Sequence, residues 1–226
     1  MDSAEYVRGE IAFLLESLPG SDAGDDVWVE AILEKYSEPH RHYHTLTHLE
    51  AMIRCLRANK EHIHDPTSLS LAILFHDIIY DPKRQNNEIL SVKMFERFAT
   101  DKSLPAEKTS KVSRYIERTI THTLPEEAEE GNSLDLHFFL DFDLEVLSRA
   151  PDVYRVYASQ IRKEYSHVPM HDYRAGRIAV LQKFLARERI YFSQVFHTRH
   201  EAAARRNVQQ EINDLTSDSI KMDRRY

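Results

Sequence analysis

His76 and Asp77 stand side by side in the most apolar stretch of the chain, Leu71-Ala72-Ile73-Leu74-Phe75-His76-Asp77-Ile78-Ile79-Tyr80-Asp81. A segment apolar on every side predicts a buried helix, here running to Ile79. An imidazole and a carboxylate inside it need partners, because an unsatisfied buried polar group costs about 1 to 3 kcal/mol and an unpaired charge more. Alone, the pair reads as a satisfied core histidine beside a helix-ending aspartate. The flanks change that reading. Upstream, Tyr43-His44-Thr45-Leu46-Thr47-His48 carries two imidazoles four residues apart, which share a face if the helix already includes His44. Downstream, Asp141 and Asp143 interrupt a mostly apolar helix predicted over 136–147, where they too demand cations or donors. His48, His76, Asp77 and one of these two aspartates would make an N2O2 set suited to Mn, Fe, Co, Ni or Zn. Its remaining positions would be open to water or a substrate oxygen, as in a catalytic site.

The elements that must position these residues read as helices throughout. Ile11, Leu14, Leu15 and Leu18 keep a helical period up to Pro19-Gly20, and a polar loop to Asp26 leads into a helix with Trp28, Ile32 and Tyr36. Leu46, Leu49, Met52, Ile53 and Leu56 share one face of the next. Asp65-Pro66-Thr67 supplies a cap and a first-turn proline for the apolar helix. Asn86-Asn87-Glu88 opens a helix with Val92, Phe95 and Phe98, and Pro105 one that runs towards His122, followed by an acidic loop over 125–132. Pro151 starts a helix striped with Tyr154, Tyr157, Ile161 and Tyr165. Another carries Tyr173, Ile178, Leu181 and Leu185, and a last one spans about 198–215. The fold expected is all-α, one helical domain over 1–226, with a core of about 36–185 and a C-terminal helical extension of about 186–226.

Composition narrows the function. The 226 residues suffice for a large core, and only five glycines argue against a barrel or sandwich of many tight turns. A formal net charge of −7 argues against bulk nucleic-acid or anionic-membrane binding, so a phosphate substrate must be drawn by a metal or by local arginines. The single cysteine, Cys55, excludes an intrachain disulfide and a cysteine-based zinc knuckle. The N-terminus lacks a signal-peptide core, and no apolar run approaches the roughly 20 residues of a membrane span. A cytoplasmic location is expected.

The order His48, then His76-Asp77, then Asp143 resembles the HD-domain superfamily of metal-dependent phosphohydrolases over roughly residues 36–185. That resemblance implies a helical bundle with its metal site between central helices. The family's aspartate-leucine element matches Asp143-Leu144, which makes Asp143 the ligand and Asp141 its support. Tyr43-His44-Thr45-Leu46-Thr47-His48 also resembles the Tyr-His-Asn-x-x-His element of cyclic-nucleotide phosphodiesterases, with Thr45 in place of the asparagine. By that resemblance His48 binds metal and His44 protonates the leaving oxygen. Arg41-His42-Tyr43-His44, Phe75-His76-Asp77-Ile78-Ile79-Tyr80, Arg162-x-Glu164-Tyr165 and Tyr173-Arg174-Ala175-Gly176-Arg177 resemble a subgroup of small stand-alone predicted HD phosphohydrolases over nearly the whole chain.

The chemistry implied is hydrolysis of a phosphate ester of a small molecule, nucleotides among the candidates. A divalent ion would activate water, Asp77 would orient that water, and His44 would act as general acid. Arg41, Arg162, Arg174 and Arg177 are the candidate substrate contacts, because guanidinium forks pair bidentately with phosphate. Two other readings remain open. One is a non-catalytic HD module that binds a nucleotide. The other is a di-iron oxygenase of the HD fold, which needs two further histidines of which His122 and His137 are the available ones.

Overall fold

Helix α4 (Pro66–Phe75) is the element around which the first half of the chain is packed. The computed structural model describes residues 2–18, 25–125 and 133–223, with backbone alone at 25–26 and 218–223. The Pro19-Gly20 break and most of the acidic loop expected over 125–132 lie outside the described residues. Asp65 caps α4 by accepting the Ser68 N–H at 3.0 Å, and Pro66 occupies the first turn. Leu69, Leu71, Ala72, Ile73, Leu74 and Phe75 are all buried. At about 1.5 to 3 kcal/mol for each large side chain, that burial outweighs the absence of a polar face.

The helix ends at Phe75, four residues before Ile79, where the sequence places its end. The backbone beyond Phe75 is bonded instead by side chains from other segments. The Asp77 N–H donates to the Tyr36 hydroxyl at 3.3 Å, and the Ile79 N–H donates to the Ser91 hydroxyl at 3.1 Å. Arg41 takes the carbonyl oxygens of Asp77 and Ile78. His76 is therefore the C-cap of α4, and Asp77 lies in the turn that follows.

Six other helices accompany it: α1 (Ser3–Glu16), α2 (Asp25–Lys35), α3 (Leu46–Ala58), α5 (Asn87–Asp101), α6 (Ala106–Arg118) and α7 (Leu134–Asp143). α1 packs on α2 and α3, while α4 packs on α3, α5 and α6. α3 buries Leu49, Met52, Ile53 and Leu56 on one face, as its periodicity predicts. It starts at Leu46 after the extended Thr45, so His44 precedes the helix, contrary to the expectation that one helix carries both imidazoles. α7 is anchored at both ends. Buried Asp135 accepts the N–H groups of His64 and Asp65 at 2.8 Å each, and Phe139 packs edge-on against His76 and flat against Tyr115. α7 stops at Asp143 and a 3-10 turn over Glu145–Ser148 follows, where the sequence suggests one helix.

By internal packing the chain divides into two compact units, 1–142 and 143–226, with the join at the last residue of α7. The second unit contains the 3-10 turn, α8 (Pro151–Glu164), α9 (Met170–Ala186) and α10 (Gln194–Asp223). α10 packs on α8, α9 and the turn and is longer at both ends than the 198–215 expected. Ser193 starts it by accepting the Phe196 N–H at 3.3 Å. Glu201 ties the preceding connection down through the N–H groups of Ile190 and Tyr191. Among the described residues there is no strand, and no helix is long and apolar enough to cross a membrane.

Candidate metal centre

Three side chains from three helices meet in one place. His48 comes from the first turn of α3, where it is the third residue, His76 from the C-cap of α4, and Asp143 from the last residue of α7. Each offers one ligand atom, and these atoms all lie within 4.8 Å of one another. His48 and His76 are buried, while Asp143 is partly exposed. Both imidazoles therefore sit in a low-dielectric setting with one carboxylate reaching them from the wetter side.

Proton bookkeeping defines what this arrangement wants. His76 Nδ1 lies 2.9 Å from the carbonyl oxygen of Ile73, which can only accept, so Nδ1 carries the proton and Nε2 the lone pair. That Nε2 faces His48 Nε2 at 3.3 Å and Asp77 Oδ2 at 3.1 Å. One added proton on Nε2 would serve Asp77 or His48, but not these and Asp143 together. A cation serves both imidazoles and Asp143 together, while Asp77, expected as a further ligand, lies outside this group of three and meets it through His76. Two nitrogens each about 2.1 Å from one ion stand about 3.0 to 3.4 Å apart for octahedral to tetrahedral angles, a range that includes the observed spacing. The bond from Nδ1 to a backbone carbonyl is also the usual device that fixes a ligating imidazole's tautomer and orientation. The donor set, two imidazoles and carboxylates without thiolate, suits a borderline transition metal better than calcium or a soft ion.

Around this group lie residues that hold it in shape. Asp77 Oδ2 is also 3.8 Å from His44 Nε2, so His44, Asp77, His76 and His48 form a continuous row. His44 reaches the row from the segment before α3. Its ring packs on Tyr80, with centroids 4.2 Å apart, and edge-on against Tyr43. Tyr43 packs in turn on His48. Tyr36 bridges the end of α4, donating to the Leu74 carbonyl oxygen at 3.1 Å while accepting from Asp77. Tyr36 and Tyr80 look like ordinary core residues in the sequence, because a ring's contact with a site two helices away leaves no local pattern.

Arg41 does not stand where a substrate contact would. Its guanidinium is buried, and all five donors are used. Nη1 donates to the carbonyl oxygens of His44 at 3.1 Å and Asp77 at 2.8 Å, Nη2 to that of Ile78 at 3.0 Å, and Nε and Nη2 hold Glu38 at 3.2 Å. Burial alone would raise the Glu38 carboxyl, but Lys35 and Arg41 hold it below its ordinary value. Arg41 is the clamp that keeps the segments carrying His44 and Asp77 together.

The remaining candidates fall elsewhere. Asp141 is buried two residues before Asp143 on α7 and is outside the three-residue ligand group. His122 and His137 are likewise not part of it. Burial lowers the His137 imidazole below its ordinary value, and His122 adopts a left-handed backbone (φ 48°) just past α6. Arg162, Arg174 and Arg177 belong to the second unit, on α8 and α9. There Arg177 is locked to Glu211 through Nε at 2.8 Å and Nη2 at 3.1 Å. Burial alone would favour the neutral guanidine, yet Tyr157 and Glu211 together hold it firmly protonated. Arg162 and Arg174 line one cavity.

No family model, no curated protein and no solved structure matches this chain.

Proposed function

We propose that this protein is a metal-dependent phosphohydrolase of the HD-domain type, acting on a phosphate ester of a small molecule, with nucleotides among the candidates. The observation that carries the reading is the convergence of His48, His76 and Asp143, with Asp77 against the same His76 nitrogen. A structural histidine pair would need one proton between its two rings, not a carboxylate from a third helix beside them as well.

The residues that would hold the cation are His48, His76, Asp77 and Asp143, and the ion would be Mn, Fe, Co, Ni or Zn. Bound there, it supplies Lewis acidity, which makes water nucleophilic at neutral pH and polarises a phosphoryl oxygen. Asp77 presents its carboxylate to two imidazoles at once and is the group placed to accept a proton from the attacking water and orient it. His44 stands on the outer side of Asp77, held by Tyr80 and by the Arg41 clamp on its own carbonyl. It is partly exposed, with 19% of its side-chain surface accessible, so it can meet a leaving oxygen that His48 and His76 cannot reach. A proton given by an imidazole there would let an alkoxide leave as an alcohol. The single cysteine and the absence of a membrane-spanning helix among the described residues accord with action in the cytoplasm.

The test is metal analysis of the purified protein followed by a phosphate-release screen over nucleotides, sugar phosphates and p-nitrophenyl phosphate. Metal-dependent release abolished by chelation and restored by one of the five ions is the expected outcome. A protein that holds metal yet releases phosphate from none of these esters would overturn the hydrolase reading.

A further inference from the structure

Asp143 is the first residue of the second unit, and the stretch that follows it is held by side chains from the far end of the chain. α7 stops at Asp143, and the backbone passes through Leu144 into the 3-10 turn over Glu145–Ser148. The buried Tyr191 hydroxyl donates to the carbonyl oxygen of Leu144, the residue after Asp143, at 2.9 Å. The Asn207 amide on α10 donates to the carbonyl oxygens of Leu147 and Arg149 at 2.9 and 2.8 Å. His200 Nδ1, also on α10, lies 2.7 Å from the Ser148 hydroxyl oxygen, and the Glu145 carbonyl oxygen lies 2.9 Å from the same hydroxyl. One assignment satisfies both: the hydroxyl donates to Glu145, and the His200 Nδ1–H donates to the hydroxyl.

The holder is itself fixed. Glu201 on α10 accepts the N–H groups of Ile190 and Tyr191 on Oε2 at 3.0 and 3.2 Å, and Arg205 on Oε1 at 2.7 Å. Burial would raise that carboxyl, but the two N–H groups and Arg205 hold it below its ordinary value, so it is a charged acceptor at neutral pH. The backbone of Tyr191 is thus tied to α10 before its hydroxyl reaches back across 47 residues to Leu144. The other two ligands are secured differently. His48 and His76 are buried, and His76 is oriented by the Ile73 carbonyl oxygen three residues before it. Asp143 is partly exposed, so packing confines its side chain less, and the backbone on its C-terminal side is what Tyr191 grips.

We propose that Tyr191 is a positioning residue of the metal centre, which through the Leu144 carbonyl oxygen sets where Asp143 presents its carboxylate, with Asn207 and His200 fixing the turn behind it. A ligand must be held within about 0.5 Å of its productive place, and removing an outer group that orients one typically costs about 10- to 100-fold in metal affinity. The inference rests on the metal reading of His48, His76 and Asp143. It gives the C-terminal segment, which supplies no member of that group, the task of holding its carboxylate in register.

The experiment compares two variants that each remove one buried hydroxyl from the second unit: Tyr191→Phe takes it from Leu144, and Tyr154→Phe takes it from Glu211. The full chain, stripped of metal by a chelator, is titrated calorimetrically with divalent Mn, Fe, Co, Ni and Zn, and circular dichroism establishes that each variant is folded. Tyr191→Phe should bind the ion that wild type binds most tightly about 10- to 100-fold more weakly. Tyr154→Phe should lower the urea midpoint yet bind that ion within about 2-fold of wild type, which separates positioning from general loss of stability. Ser148→Ala, at a partly exposed position in the turn, should weaken binding by about 3- to 10-fold and decides the test if Tyr191→Phe does not fold. Wild-type affinity in Tyr191→Phe, or in Ser148→Ala where it stands in, would overturn the proposal and leave the metal reading intact, as would equal weakening in Tyr154→Phe. A wild type that binds none of the five ions would overturn both.

Discussion

The polar cluster of the first unit is built on imidazoles and a carboxylate at and just past helix ends, while the one among α8, α9 and α10 in the second is a guanidinium, a phenol and a glutamate partway along helices. His48, His76 and Asp77 turn lone pairs toward one another, and the nearby donors of Arg41, Tyr36 and Ser91 reach backbone carbonyl oxygens and hold the backbone in shape. Arg177, Glu211 and Tyr154 instead meet donor to acceptor. The first arrangement is short of positive charge at its centre and suits a cation. The second satisfies its own glutamate with its own donors. The same helical packing thus yields an open demand in one unit and a matched set in the other.

The largest expected effect is on turnover at His44. His44→Asn should leave metal content and folding intact and lower hydrolysis of an alkyl or nucleoside ester by about 100- to 10,000-fold, the usual worth of a general acid. On p-nitrophenyl phosphate, whose leaving group departs without a proton, the loss should shrink towards nothing. Equal losses on both esters would make His44 a substrate-positioning group, and loss of metal would make it a ligand.

The clamp sets the next contrast. Arg41→Met strands three carbonyl oxygens at a buried site and leaves Glu38 to Lys35, and should cost about 3 kcal/mol or more in urea unfolding. Arg155→Ala in the second unit, at an exposed position, should change stability by no more than about 0.5 kcal/mol. Similar costs for the two would erase the distinction between a buried guanidinium that holds backbone together and an exposed one.

Asp141→Ala should retain metal at about 10- to 100-fold weaker affinity, since Asp141 is buried on the same helix but outside the ligand group, whereas Asp143→Ala should lose it. Complete metal loss in Asp141→Ala with retention in Asp143→Ala would exchange their roles.

The smallest effect is a pH dependence at the start of α4. Burial alone would raise the Asp65 carboxyl, but the Ser68 hydroxyl and N–H with Lys111 and Lys108 hold it far below the ordinary carboxylate range. A depressed folded-state value means that Asp65 stabilises fully above its unfolded pKa of about 3.9 and loses that contribution as pH falls below it. Asp65→Asn keeps a capping oxygen but loses the charge that Lys108 and Lys111 meet, so it should be less stable than wild type by up to about 1 kcal/mol from pH 7 to about pH 4. The gap should narrow only below that. A gap already closing between pH 7 and pH 5 would show that Asp65 is not held as the structure has it.

How much of this is legible in the sequence differs between the two units. The apolar run from Leu71, the Asp65-Pro66 start and the one-sided face of α3 follow from local chemistry, and all are present in the fold. His48, His76 and Asp143 stand out because polar residues interrupt apolar helices. The role of Arg41 is hidden, because the carbonyl oxygens that need its donors are exposed by the early end of α4, which no local pattern announces. The place of His44 before α3 is hidden for a related reason: spacing four suggests one helix face, whereas a ring held by Tyr80 reaches the same row from an extended segment. In the second unit Arg162, Arg174 and Arg177 look alike as sequence. Only the packing of α10 separates Arg177, taken by Glu211, from the other two at the cavity.

The central claim is that the first unit's surplus of lone pairs is met by one metal ion, and elemental analysis of wild type beside His76→Ala and Asp77→Ala tests it most directly. The account predicts about one equivalent of a transition metal in the wild-type chain and little in either variant, with all three folded by circular dichroism. A metal-free wild type that takes up none of Mn, Fe, Co, Ni or Zn on titration, or variants that keep the full equivalent, would contradict it.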